Sequence, residues 1–329
     1  MIQDVINGFP DVSVPVLDGG FKLVYEPDPE HPNTWMVNDH CIIQDSEGIF
    51  HYFGIENPFP STTEALEWLK EDIKPSQRPF IQTLHRLMHG HLYRPGTHFR
   101  IGHAIANNIW GPWKRLPAAL DGGTDRLHHG APFVIKHDDK YWMFESEGSM
   151  NDNALTGIFT STDLKTWIPV TDATPWRDTH VFGLPGHRDP CIIQLDNGTF
   201  LQYFSGSDPD NRTTIGVASS TNLRIWRSEA PCYIEDIPGA PFSSILESPF
   251  VLRRGRLYYL FVGFSHRHYY ETFVVVSENP YSFSDKHKLT TLFTHAAEFI
   301  DVDGETYMTS CGIEDPQLLN RSGLWLCKI

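Results

Sequence analysis

Ser161-Thr162-Asp163-Leu164-Lys165-Thr166-Trp167 recurs 59 residues later as Ser220-Thr221-Asn222-Leu223-Arg224-Ile225-Trp226. Looser copies run from Asn107 to Trp113 and from Ser277 to Phe283, each with a polar start and an aromatic six positions on. Successive starts lie 54, 59 and 57 residues apart. A period of that size marks a repeat architecture, in which each copy is one supersecondary unit that buries its apolar face only against its neighbours.

Upstream of each copy, and once more near the end, stands an apolar run, a polar turn and an aromatic-rich run. These five segments are Cys41 to Ile55, Pro132 to Ser146, Pro190 to Gly206, Pro249 to Phe264 and Glu298 to Gly312. Their turns carry Asp45-Ser46-Glu47-Gly48, Asp138-Asp139, Asp196-Asn197-Gly198, Arg254-Gly255 and Asp303-Gly304, the chemistry of β-hairpins. A hairpin followed by two more strands around a tight turn is a four-stranded propeller blade. The expected fold is therefore all-β, a five-bladed β-propeller, with residues 1–329 forming one domain.

The fifth unit lacks the second element and ends on Gly323 to Ile329, which reads as its third strand. A blade short of one strand exposes an edge that must be covered. Phe21-Lys22-Leu23-Val24-Tyr25 is the spare strand-like segment, and it is expected to close the ring there. In blade one, hairpin and second element are separated by a helical or loop insertion at about 56–102. Ser61-Thr62-Thr63-Glu64 resembles a capping box that opens a helix through Lys70. His85, Arg86, His89, His91, Arg94, His98, Arg100 and His103 follow, a cationic and titratable cluster that fits either a solvated insertion or an anion site.

Composition agrees with a globular chain. Hydrophobic residues are 40%, charged residues 20% and aromatics 13%, which excludes disorder, collagen and long coiled coil. The formal charge of −15 repels polyphosphate, so neither nucleic acid nor an anionic membrane is an expected partner. Met1 to Ile6 shows no basic segment leading into an apolar one, and a cytoplasmic location is expected. Cys41, Cys191, Cys232, Cys311 and Cys327 form no CxxC pair and read as reduced core thiols.

The first strand of each propeller blade lines the central channel, so its leading residues meet at one mouth. Alignment of the hairpins places Asp39, Ala131, Asp189, Ser248 and Ala297 at one position, and Asn38, Gly130, Arg188, Glu247 and Ala296 one residue earlier. Val37, His129, His187, Leu246 and His295 stand one residue before those. Asp39, Asp189 and Glu247 would thus share a funnel. Clustered carboxylates raise one another's pKa, and two of them flanking a glycosidic bond supply the acid and the nucleophile or base of acetal cleavage. Trp35, Asn38, His129, Arg188 and His295 are the candidate substrate contacts: an aromatic face for a sugar, an amide, a guanidinium beside the acids, and two imidazoles aimed at the axis.

Three motifs resemble those of the five-bladed propeller glycoside hydrolases of families 32, 68 and 43. Trp35-Met36-Val37-Asn38-Asp39 is similar to the Trp-Met-Asn-Asp of family 32, whose Asp is the nucleophile, although Val37 interrupts it and His40-Cys41 follows in place of Pro-Asn. His187-Arg188-Asp189-Pro190 matches its Arg-Asp-Pro, whose Asp stabilises the transition state. Leu246-Glu247-Ser248-Pro249 resembles the Glu-Cys-Pro of family 32 and the Glu-Gly-Pro of family 43, whose Glu is the acid. Family 43 instead assigns the first Asp as general base, so both roles stay open for Asp39.

The resemblance implies a glycoside hydrolase that removes a terminal fructofuranosyl or arabinofuranosyl unit from a small oligosaccharide, with no required cofactor and no catalytic metal. A structural calcium on the propeller axis is the one ion it suggests, and self-association is left open. A propeller phosphorylase that holds phosphate in the His/Arg-rich insertion, and a sugar-binding propeller without catalysis, are the alternatives. Neoagarooligosaccharide hydrolases, which share the architecture, use a His as acid; His129, His180 and His187 are the matching candidates.

Overall fold

The computed structural model describes residues 2–32, 34–59, 63, 99–122, 129–147, 155–173, 188–207, 212–235, 246–264, 269–311 and 322–329. Among these residues the regular secondary structure is nearly all strand, in five antiparallel sheets that form the blades of a propeller ring. A short helix, α1 (Ile2–Gly8), and β1 (Asp18–Tyr25) precede blade one. Blade one comprises β2 (Trp35–Gln44), β3 (Phe50–Pro58), β4 (Arg100–Ala106) and β5 (Lys114–Asp121). Blade two comprises β6 (His129–His137), β7 (Lys140–Glu147), β8 (Leu155–Ser161) and β9 (Ile168–Pro169). In blade three, β10 (Arg188–Gln194), β11 (Phe200–Ser207), β12 (Thr213–Ser220) and β13 (Arg227–Ser228) are joined by β14 (Tyr233–Glu235), which also pairs with β12. Blade four comprises β15 (Leu246–Arg254), β16 (Leu257–Phe264), β17 (Glu271–Ser277) and β18 (Lys288–Phe293). Blade five has β19 (Phe299–Val302), β20 (Glu305–Ser310) and β21 (Leu324–Lys328).

The ring closes as expected. Antiparallel pairing of Lys22 with Leu326, Leu23 with Trp325 and Tyr25 with Leu324 makes β1 the outer strand of blade five and covers its edge. The repeated seven-residue element is the turn from third to fourth strand. In blade two, Asp163 Oδ1 accepts the backbone N–H groups of Lys165 and Thr166, both at 2.8 Å. In blade three, Asn222 Oδ1 accepts those of Arg224 at 3.0 Å and Ile225 at 2.9 Å. Leu164 and Leu223 then take left-handed backbone, φ 59° and 62°. The side-chain oxygen supplies the acceptor that the tight turn removes from the ladder.

The middle strands are covered on both faces by neighbouring blades, so their sequences are continuous apolar runs rather than alternations. Trp142 and Phe144 of blade two pack with Ile192, Phe204 and Trp226 of blade three in one such seam. All five cysteines are buried free thiols. The insertion in blade one is shorter than its expected bounds: β3 runs on through Pro58 and β4 begins at Arg100, because Glu56, Asn57 and Pro58 still pair with Val37, Met36 and Trp35 of β2, and Arg100 pairs with Asp121 of β5. The helix expected from Ser61, Thr63 excepted, lies outside the described residues, as do His85, Arg86, His89, His91, Arg94 and His98.

Candidate active site

The inner strands of blades one to four open on a β-bulge. The pairs Val37 with Glu56 and His40 with Gly54 bracket one at Asn38-Asp39. Corresponding breaks fall at Ala131-Pro132, Asp189-Pro190 and Ser248-Pro249. Proline suits the second bulge position, where no N–H is needed for the ladder. Ala131, Asp189, Ser248 and Ala296 share left-handed backbone, with φ of 43°, 59°, 49° and 47°. This register corrects the sequence alignment at both ends. In blade five the equivalent residue is Ala296 rather than Ala297, which puts His295 level with Arg188 and Glu247. In blade one the residue level with Asp189 is Asn38, and Asp39 takes the place that proline fills in blades two to four. A one-residue bulge adds no hydrophobic signal, so periodicity alone left these offsets invisible.

The bulges turn polar groups across the gaps between blades. The Asp189 N–H donates to Ser146 Oγ at 2.9 Å, the Ser248 N–H to Asp189 Oδ2 at 3.1 Å, and Ser205 Oγ to the same oxygen at 3.0 Å. Ser248 Oγ donates to Asp39 Oδ1 at 2.6 Å, which ties blade four to blade one. Arg188 reaches from blade three to blade four: its Nη2 donates to Glu247 Oε2 at 3.1 Å, while its Nε lies 3.7 Å from Asp189 Oδ2. One guanidinium thus stands among three carboxyl groups, those of Asp39, Asp189 and Glu247.

Burial raises all three. Burial, with the charges of Asp39 and Asp189 added, pushes the Glu247 carboxyl up to about 8, against the pull of Arg188. Burial also raises Asp39, opposed by the Ser248 hydroxyl and Arg188, and it raises Asp189, opposed by Arg188 and by bonds from Ser248 and Ser205. Burial works against the Arg188 charge as well, but Asp189, Glu247 and Asp39 outweigh it and hold the group protonated. Both aspartates accept hydrogen bonds that only a carboxylate oxygen rewards fully. Glu247, raised to about 8, holds a proton at neutral pH. Its Oε2 is held by Arg188, and its buried Oε1 has no hydrogen-bond partner among the described residues.

The other candidates divide. Asn38 and His295 stand at the same mouth, linked by Tyr269: the Tyr269 hydroxyl donates to Asn38 Oδ1 at 3.0 Å, and His295 Nδ1 lies 2.8 Å from the Tyr269 carbonyl oxygen and 3.9 Å from Glu247 Oε1. Trp35 begins β2, but the Arg115 guanidinium lies over its ring at 4.0 Å and Arg100 at 5.3 Å, so that ring area is taken by cations rather than left for a sugar. Arg115 is held in turn by Glu56, 3.3 Å away and fully buried, which also accepts the Tyr25 hydroxyl at 2.7 Å. His129 is fully buried, and its Nδ1 faces Glu145 Oε1 at 3.3 Å. His180 and His187 lie outside the described residues, as does most of the segment that would hold phosphate in a phosphorolytic reaction.

Sequence reasoning missed Tyr269, Ser146, Ser205, Glu56, Glu145 and Glu298. Each reaches its place through packing or cross-strand register. Glu298, on the inner side of blade five, is pushed well above the usual carboxylate range by burial and then by Asp39. A signal existed for Glu145 alone: it sits opposite the blade-two bulge, where blades one, three and four carry Ile55, Phe204 and Val262. Among the described residues no group of three or more His, Cys, Asp or Glu side chains is placed to hold a metal ion.

No protein-family model and no curated protein matches the sequence. Solved structures do. BT0996, solved as an RGII complex, superposes with a TM-score of 0.67 at 13% identity, over 100% of this chain and 95% of that one. The fold is that of the five-bladed propeller glycoside hydrolases. A Bombyx mori GH32 beta-fructofuranosidase shares it at TM-score 0.63 and 15% identity, over 91% of this chain and 62% of that one. An exo-1,5-alpha-L-arabinanase from a bovine ruminal metagenomic library shares it at TM-score 0.57 and 14% identity, over 89% and 92% of the two chains. This chain therefore spans less than two thirds of the fructofuranosidase and nearly all of the arabinanase. At these identities the likeness is one of fold.

Proposed function

We propose that the chain is a glycoside hydrolase that removes a terminal furanosyl unit, fructofuranosyl or arabinofuranosyl, from a small oligosaccharide. One observation carries the reading: Glu247, raised to about 8, holds one oxygen on Arg188 and presents the other without a hydrogen-bond partner among the described residues, beside two hydrogen-bonded aspartates. In this scheme Glu247 protonates the departing glycosidic oxygen from Oε1. Asp39, oriented by Ser248 Oγ, attacks the anomeric carbon or takes a proton from water. Asp189, fixed by Ser205 and the Ser248 N–H, offsets the positive charge that develops on the sugar ring. Arg188 keeps the cluster from refusing its negative charges.

The fold neighbours, named as a fructofuranosidase and an arabinanase, support a furanosyl group as the unit removed. The test compares Glu247→Gln and Asp39→Asn with wild type on sucrose, short fructans and 4-nitrophenyl α-L-arabinofuranoside. Loss of a positioned acid costs about 10² to 10⁴ in rate. That loss should appear in full with a sugar leaving group and shrink for Glu247→Gln with 4-nitrophenol, which departs without protonation. Both variants should keep the wild-type melting temperature within a few degrees. Full activity in either variant would refute the assignment.

A further inference from the structure

Tyr269 lies just before β17 in blade four and joins two neighbours of the reacting carboxyls that belong to other blades. Its hydroxyl donates to Asn38 Oδ1 of blade one at 3.0 Å. Its ring stacks on the imidazole of His295, at the start of blade five, with centroids 3.5 Å apart and planes 19° from parallel. Its carbonyl oxygen lies 2.8 Å from His295 Nδ1.

Each contact removes a choice. An amide can turn either of its ends toward a ligand. The Oδ1 of Asn38 is occupied by the Tyr269 hydroxyl and, at 3.6 Å, by the Cys311 thiol, so the end left over is Nδ2, a double donor. No described residue accepts from it, and Asn38 is half-buried beside Asp39. A carbonyl oxygen only accepts, so the contact at 2.8 Å requires the proton of a neutral His295 on Nδ1 and directs it at Tyr269. Glu247 Oε1 lies 3.9 Å from that same nitrogen. With the imidazole proton drawn to Tyr269, the acid oxygen has no hydrogen-bond donor among the described residues.

We propose that Tyr269 is a positioning residue: it turns the Asn38 amide so that its N–H groups face a sugar oxygen, and it holds the His295 proton away from Glu247. The proposal deepens the hydrolase reading and rests on it for its kinetic arm. A second arm does not depend on turnover.

The kinetic arm is a double-mutant cycle of Tyr269→Phe and Asn38→Ala, run on whichever of sucrose and 4-nitrophenyl α-L-arabinofuranoside the wild type cleaves. Each single change should raise KM about five- to tenfold, the worth of one neutral hydrogen bond, and affect KM more than kcat. The double variant should be no worse than Asn38→Ala alone, because the hydroxyl acts through the amide. Additive losses would overturn the proposal. The second arm follows the His295 ring by NMR of 15N-histidine-labelled protein, with His295→Gln to assign the signal. Wild type, Tyr269→Phe and Tyr269→Ala all keep the backbone carbonyl at 269 and should show the Nδ1–H tautomer, with thermal unfolding as the check that each is folded. An Nε2–H tautomer in folded wild type would also overturn it. Should the wild type cleave no furanoside, the hydrolase reading fails by itself, and the imidazole spectrum alone decides the role of Tyr269.

Discussion

Arg188→Met removes the positive charge around which the three carboxyls are arranged and keeps most of the side-chain length. The guanidinium is 3.1 Å from Glu247 Oε2 and 3.7 Å from Asp189 Oδ2, and its charge lowers Glu247, Asp189 and Asp39 alike. An opposite charge at such range depresses a carboxyl by about 1 to 3 units. A Coulomb estimate of about 4 kcal/mol at 4 Å and an effective dielectric of 20 falls at the top of that range, since one unit is about 1.4 kcal/mol. Without Arg188, Glu247 should therefore rise from about 8 to about 9 or above. The aspartates should rise with it. In a plot of kcat/KM against pH, the alkaline limb reports the acid and the acidic limb the nucleophile or base, so both limbs should move to higher pH. Initial rates on an aryl furanoside give the profile, and Glu247→Gln, which has no titrating acid there, should lack the alkaline limb. A profile that stays in place in folded Arg188→Met protein, or shifts to lower pH, would show that Arg188 does not govern the proton held by Glu247.

Two further predictions concern stability. Burial raises Glu145 to about 7 from an ordinary 4.5, against its bond to His129, so the folded chain holds a proton that the unfolded chain releases between those values. Its contribution is complete below the unfolded pKa and is lost as pH rises through the window, by at most about 3 kcal/mol. Glu145→Gln should flatten that decline in urea unfolding at about pH 5 and about pH 8, and equal slopes in the two proteins would count against it. In the blade-two turn, Asp163→Ala loses two backbone bonds and should cost about 1 kcal/mol or more. Asp163→Asn should be nearly neutral, since Asn222 makes the matching bonds in blade three. Equal damage from both substitutions in denaturant melts would contradict this account of the turn.

The blade count was legible because the turns of blades one to four repeat a chemical necessity: an Asp or Asn acceptor, for two N–H groups in blades two and three and for one in blades one and four, then an aromatic residue. The closing strand was legible for a similar reason, since an unpaired edge in blade five demanded a partner and Phe21 to Tyr25 was the spare segment. The pairing register was not. A bulge inserts a residue without altering which side chains are apolar, so Asn38 and Asp39, and Ala296 and Ala297, could be aligned only once their cross-strand partners and backbone angles were known. His129, a polar residue at an inner-strand start, faces Glu145, whose place is apolar in blades one, three and four.

By itself, the amino-acid order determined the all-β class, the five units, the ring closure and the three acids worth gathering. Those features depend on neighbours in sequence or on a period, and local sterics and burial write them directly into the chain. Only the folded ring decided that Ser248 belongs to Asp39, that Arg188 spans two blades to Glu247, and that Tyr269 joins Asn38 to His295. Such pairs lie tens to hundreds of residues apart, and proton affinity depends on burial and through-space charge, which exist only once the blades have closed around a common axis.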